Sequence, residues 1–332
     1  HGKTTTTSLI ASIFLQAKLE PTVVVGGRLD VLGSTAVLGT GEWCVAEADE
    51  SDGSFLRLSP EIAVVTNVDN DHMDFYETQE NIFKAFNQFA SRTPFFGVTI
   101  ACGDEPGVRS VFTHFANRIL FYGFGSENDL ILSGESGVYR LSREGKVLGT
   151  FRAPLPGRHN ALNVAAAISV GLEADIPFEV CVKGVENFSG VDRRLQIKGE
   201  RDGILYVDDY GHHPTEVAAV LNALKEKYPH RRLIVVFQPH RYSRTQLCWE
   251  QFLTCFSESD VVYILDIYPA GETPIQSIST RRLVSEMKHP DCHYVESKDA
   301  MVKMLTAIRR ENDVILTLGA GDVYRMHEHL KS

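Results

Sequence analysis

The chain has 332 residues, 43% of them hydrophobic, and a formal net charge of −10, enough to bury a sizeable core and to divide into two domains. The acidic balance argues against nucleic acid or an anionic membrane as principal partner, because phosphate backbones are held by concentrated Lys and Arg. Six cysteines stand apart with no C-x-x-C pair, a pattern of reduced thiols in a cytoplasmic protein, and no apolar run approaches the roughly 20 residues that span a bilayer.

The chain opens on His1-Gly2-Lys3-Thr4-Thr5-Thr6-Thr7, which reads as the second half of a phosphate-binding loop. Such a loop wraps nucleotide phosphates with backbone N–H groups, places one ammonium on the β/γ charge and offers the next hydroxyl to Mg²⁺. From Ser8 to Leu15 apolar residues recur at helical spacing and continue to the breaker at Pro21, predicting a helix whose positive end faces the phosphates. The loop's first glycine and its preceding strand are expected upstream of residue 1.

Trp43–Glu47 and Ile62–Thr66 read as short strands, and each runs into a polar cluster. The first is Glu47-Ala48-Asp49-Glu50-Ser51-Asp52; the second is Asn67-Val68-Asp69-Asn70-Asp71-His72-Met73-Asp74. Ligands collect at the C-terminal edge of open α/β sheets, and carboxylate oxygens beside a phosphate loop suit Mg²⁺. The four acids alone read more readily as a solvated turn, and His72 alone as a structural residue; two clusters beside one phosphate loop favour the metal. Val98–Ala101 and Ile119–Tyr122 continue the alternation of strand and helix, which predicts a mostly parallel, doubly wound sheet. Leu130–Leu132, Gly137–Leu141 and Lys146–Phe151 are short strands between turn residues and predict a small antiparallel sheet. Gly157-Arg158-His159-Asn160-Ala161-Leu162-Asn163 then enters an alanine-rich helix, and a break near Gly190 divides the chain into domains 1–189 and 190–332.

Strand signals at 205–209, 233–237, 261–265 and 314–318 predict a second, Rossmann-like α/β domain. Two of its strand ends carry Asp208-Asp209-Tyr210-Gly211-His212-His213-Pro214-Thr215-Glu216 and Phe237-Gln238-Pro239-His240-Arg241-Tyr242-Ser243-Arg244-Thr245. The planar fork of arginine matches a carboxylate bidentately, so these loops suit a small carboxylate-bearing substrate. A solvated loop is the bland alternative. A zinc site from His212, His213 and His240 is the weakest reading, since no cysteine is placed to help.

In order, His1–Thr6, Glu47–Asp52, Thr66-Asn67 with Asp71–Asp74, His159-Asn160 with Asn163, Gly190–Arg194, Asp208–Glu216 and Phe237–Arg244 resemble the Mur ligases of peptidoglycan synthesis. The match is nearest to the branch that joins L-alanine to UDP-N-acetylmuramate. That resemblance implies an ATP-dependent carboxylate–amine ligase, working through an acyl phosphate with ATP and Mg²⁺ or Mn²⁺, in the cytoplasmic stage of cell-wall synthesis. It implies Lys3 on the β/γ-phosphates, Thr4 on a first metal, and Glu47 and His72 on a metal nearer the acceptor carboxylate. His1, Gly2, Thr5, Asn160, Asn163, Arg194 and Asp209 would lie at the nucleotide, and Tyr210, His212, His240, Arg241 and Arg244 would form the amino-acid pocket. A hinge is expected near 188–195.

The family's UDP-sugar domain has no match here, so the chain alone is expected to be inactive. A murein tripeptide recycling ligase and a catalytically silent nucleotide-binding fragment remain the alternatives. Other members carry a carbamylated lysine at the position of Phe86; Lys84 is out of register and is not assigned.

Overall fold

In the computed structural model, which describes residues 1–29, 34–69 and 71–330, the chain divides into two units, His1–Val191 and Asp192–Ser332, each with its own sheets. The first unit begins with the helix Lys3–Gln16, started by Gly2 in the left-handed conformation. Its Leu9, Ile13 and Phe14 pack in one core with Ala161, Val164 and Ile168 of the helix Arg158–Glu173 and Val185 of Phe178–Glu186. Each such large apolar side chain, once buried, contributes about 1.5–3 kcal/mol. The helix stops at Gln16, earlier than Pro21, because Lys18 and Glu20 take positive φ as the chain turns into a strand.

That strand, Thr22–Leu29, lies between Ser34–Val37, antiparallel, and Cys44–Ala46, parallel. A six-stranded sheet follows, in the order Ile62–Val65, Val98–Cys102, Ile119–Gly123, Leu130–Glu135, Val138–Arg143, Lys146–Arg152. Its first four strands are parallel and its last two antiparallel. The antiparallel strands expected over 128–153 are thus the outer part of the main sheet, joined to it through Tyr122↔Leu130. Val98, Ile100 and Leu141 face the helical core, whereas Val65 and Ala101 pack against Val108 and Phe112. Burial on both faces is what turns parallel strands into continuous apolar runs.

The second unit has one six-stranded sheet, ordered Gln196–Arg201, Ile204–Asp209, Asp313–Leu318, Arg232–Phe237, Val261–Ile264, Cys292–Tyr294, antiparallel only at its first pair. Val207, Val235, Phe237 and Leu316 pack against Val217, Leu221 and Phe252; Tyr206, Ile234, Val236 and Ile315 pack against Met301 and Leu305 on the other face. This is the doubly wound, Rossmann-like α/β arrangement. Register aligns Asp209 with Leu318, Leu318 with Phe237 and Phe237 with Ile264. The segments that follow these four residues therefore emerge side by side along one edge. Among the described residues no helix is long and apolar enough to cross a membrane.

Candidate active site

In the first unit, Gly2 (φ 79°) turns the chain into the helix, and a Cβ at this position would stand 2.6 Å from Asn163 Oδ1. Both the backbone and the available space demand glycine. Asn163 Oδ1 accepts the Thr6 hydroxyl at 3.2 Å, Asn163 Nδ2 donates to Asn160 Oδ1 at 3.3 Å, and Asn160 Nδ2 donates to the Pro156 carbonyl at 2.7 Å. These two asparagines thereby fix the loop to the helix Arg158–Glu173. Thr5 is buried in the first helical turn, and burial lowers His159 to about 4, leaving it neutral at pH 7.

The Lys3 ammonium pairs with Glu50 and reaches Asp49 Oδ1 at 3.4 Å. His72 Nε2 lies 3.5 Å from Glu50 Oε1 and 3.5 Å from Asp71 Oδ2. Burial opposes the charge on Glu50, but the His72 hydrogen bond and the Lys3 ammonium outweigh it and hold the carboxyl at about 2. Burial likewise opposes the charge on Lys3, which Glu50 and Asp49 more than offset. His72 sits at φ 56°, a conformation costly for a side chain with a Cβ, just before the short helix Met73–Tyr76, and Tyr76 Oη donates to the Glu50 carbonyl at 2.6 Å.

Glu47 takes different partners. Its Oε1 accepts the Thr4 hydroxyl at 2.9 Å and its Oε2 the Gly26 N–H at 2.6 Å. The Thr4 hydroxyl and Glu47 carboxylate, hard oxygens next to the lysine, fit the donor set Mg²⁺ takes. The His1 carbonyl accepts from Thr66 Oγ1 at 2.6 Å and Asn67 Nδ2 at 2.9 Å, and His1 Nε2 lies 3.2 Å from Asp69 Oδ2. Both acidic strand ends thus meet the phosphate loop; Asn70 lies outside the described residues.

In the second unit, Arg193 donates to Asp208 Oδ2 at 3.1 Å and to the Gly319 and Gly321 carbonyls, and its guanidinium lies 4.9 Å from the centre of the Tyr210 ring. Arg194 lies 5.2 Å from the same ring. Asp209 is 4% exposed and accepts the Leu195 and Gly211 N–H groups, both at 2.7 Å. Burial raises it to about 6, against the pull of Arg194 and of those amides. Through these two bonds Asp209 holds the turn that carries Arg194.

The five residues of the expected amino-acid pocket come together. The His212 ring lies 5.5 Å from Tyr210 and 5.8 Å from His240, and Arg244 Nη1 lies 3.4 Å from His240 Nδ1. Arg241 starts the next turn at φ 69°, and its Nε is buried with no hydrogen-bond partner among the described residues. Burial, then the nearby His212, Arg244 and Arg241, lower His240 to about 4, so the ring is neutral at pH 7 and the arginines carry the positive charge. His213 instead caps the helix Pro214–Lys227: Glu216 Oε2 accepts the His212 and His213 N–H groups at 2.9 and 3.1 Å, and the Thr215 N–H donates to His213 Nδ1 at 3.4 Å. A residue committed to capping is a poor third zinc ligand.

Residues 1–171 match the Mur ligase middle domain and residues 193–321 the domain described as Mur ligase, glutamate ligase domain. The UDP-N-acetylmuramate–L-alanine ligase of Bdellovibrio bacteriovorus is 54% identical over 98% of this chain and 73% of its own length. The chain belongs to the Mur ligase family. Among solved structures, the UDP-N-acetylmuramate–alanine ligase of Thermotoga maritima superposes with a TM-score of 0.82 at 25% identity, covering 99% of this chain and 72% of that one. The murein peptide ligase of Psychrobacter arcticus shares the fold, with a TM-score of 0.74 at 21% identity over 100% of this chain and 75% of that one. Phe86 packs edge to face on Phe55 at 5.4 Å, and Lys84 pairs with Glu80 on the exposed side of its helix.

Sequence reasoning left three neighbours of the assigned residues unassigned. Glu50 was one acid among four, Arg193 stood beside the assigned Arg194, and Tyr268, whose ring is stacked on His240 at 5.6 Å, lies in a segment without a charged motif. A search of every strand end for aromatic residues would have found it.

Proposed function

We propose that this chain carries the ATP-binding and amino-acid-binding parts of a ligase that joins L-alanine to the carboxylate of UDP-N-acetylmuramate. The observation that carries the reading is the clustering of Tyr210, His212, His240 and Arg244, with Arg241 near enough to act on the His240 charge, in a chain 54% identical to a protein of that name and also holding a phosphate loop. Amide formation from a carboxylate and an amine is uphill in water, so ATP first converts the carboxylate to an acyl phosphate. A carboxylate oxygen attacks the γ-phosphorus and ADP leaves; the alanine nitrogen then attacks the acyl carbon and phosphate leaves with that oxygen.

For this transfer the protein supplies alignment and charge neutralisation. Lys3 exchanges its carboxylate partners for the β/γ-phosphates, and the loop amides at the start of the helix Lys3–Gln16 face the same charge. Asn160 and Asn163 keep the loop in shape, and Asp209 acts through the turn bearing Arg194. Bound Mg²⁺ would screen the phosphate oxygens, with Thr4 on one ion and Glu47 and His72 on a second. Arg241 and Arg244 receive the amino-acid carboxylate, the neutral His240 ring spacing them. ATP and a nucleotide sugar as substrates place the reaction in the cytoplasm.

Isotope transfer tests the acyl phosphate. With ¹⁸O in the muramyl carboxylate, the full-length protein is expected to release inorganic phosphate carrying one ¹⁸O. Label in AMP, or phosphate free of label, would contradict the route.

A further inference from the structure

Beyond the strand Val261–Ile264 the backbone runs beside Pro239–Arg241. The Tyr268 N–H donates to the Pro239 carbonyl and the Tyr268 carbonyl accepts the Arg241 N–H, both at 2.8 Å. One further rung of parallel pairing, His240↔Tyr268, results. The Tyr268 ring lies on the His240 imidazole with planes 9° apart and centroids 5.6 Å apart. Gly321 stands next to its root: an added Cβ there would meet Gln238 Oε1 at 2.4 Å, Tyr268 Cγ at 2.9 Å and Tyr268 Cβ at 3.0 Å. Tyr268 is 36% exposed, so part of its surface stays free beside His240.

We propose that Tyr268 is a specificity-determining residue of the amine pocket: its ring, braced between His240 and Gly321, limits the incoming amino acid to a side chain about the size of a methyl group. The proposal rests on the reading of this pocket as the amino-acid site. A wall that can retreat would adapt to longer side chains, whereas one packed on both sides yields only by displacing its neighbours. One added methylene against such a wall changes selectivity by about 10–200-fold. Gly321 belongs to the same device, since a side chain there presses on the root of the Tyr268 ring as well as on Gln238 Oε1.

The test compares kcat/KM for glycine, L-alanine and L-valine, in phosphate release from ATP with UDP-N-acetylmuramate, for the full-length protein and its variants. Tyr268→Ala is expected to raise the L-valine to L-alanine ratio at least about tenfold, with the KM for ATP unchanged. Tyr268→Phe, which keeps the ring, keeps the original ratio. Gly321→Ala shifts preference the other way, raising the glycine to L-alanine ratio. Unchanged ratios in folded Tyr268→Ala overturn the proposal, and if that variant does not fold, unchanged ratios in Gly321→Ala do so. Should the unmodified protein release no phosphate with any of the three amino acids, the pocket assignment itself falls and the proposal with it; selective use of L-alanine together with unaltered ratios sinks the proposal alone.

Discussion

Lys3→Ala is expected to lower kcat for ATP-dependent phosphate release by on the order of 10³-fold, the scale seen when one preorganised charge donor is removed from a transferring group. Lys3 is the first residue of the helix Lys3–Gln16 and already sits among anions, paired with Glu50 and Asp49. Water cannot replace an ammonium fixed at that point, because its free energy of orientation was met on folding. Lys3→Arg keeps the charge but spreads it over a planar fork, so only partial activity is expected. The same substitution has a stability signature. Glu50 is held at about 2 against an ordinary 4.5, so its ionisation contributes stability that is present above pH 4.5 and lost as the pH falls toward 2. Without Lys3 the carboxyl rises, and acid unfolding followed by circular dichroism is expected to begin at higher pH. A variant with full turnover and an unshifted acid transition would remove Lys3 from the site.

Arg244→Ala is expected to raise the KM for L-alanine by about 10–100-fold while leaving the KM for ATP nearly unchanged. A hydrogen bond to a charged group is worth about 1.5–3 kcal/mol, and each 1.4 kcal/mol is about tenfold in affinity. Arg244 reaches His240 Nδ1 at 3.4 Å from the short helix Tyr242–Leu247. Arg244→Lys restores the charge without the bidentate geometry and should fall between the two. Steady-state kinetics with each substrate varied in turn decides the matter; equal effects on ATP and L-alanine sink the assignment.

Much of this arrangement was readable from residue order because it rests on local chemistry. The phosphate helix follows from Gly2 and the apolar spacing after it, and each polar strand end follows from a short apolar run meeting a cluster of His, Arg or acid. What escaped depends on pairing across the fold. Val23-Val24-Val25 is a strand because Val23 and Val24 pair with Val37 and Ala36 on one side and with Val45 and Ala46 on the other, and the outer antiparallel strands belong to the main sheet through Tyr122↔Leu130 and Gly123↔Ile131. Asp209 looks in sequence like any strand-end acid; burial beneath the Leu195 and Gly211 amides is what turns it inward. Placing Glu50 and Asp49 on Lys3 requires the turn in which Asp49 holds Ser51 and Asp52 holds Ser54. Tyr268 owes its place to register alone.

Phosphate release by the full-length protein with ATP and UDP-N-acetylmuramate, comparing L-alanine, L-serine, glycine and a murein tripeptide, tests the proposed reaction most directly. Release that requires both the sugar nucleotide and an amine, with the highest kcat/KM for L-alanine, is the expected result. Preference for the tripeptide, or release that ignores the sugar nucleotide, would contradict it.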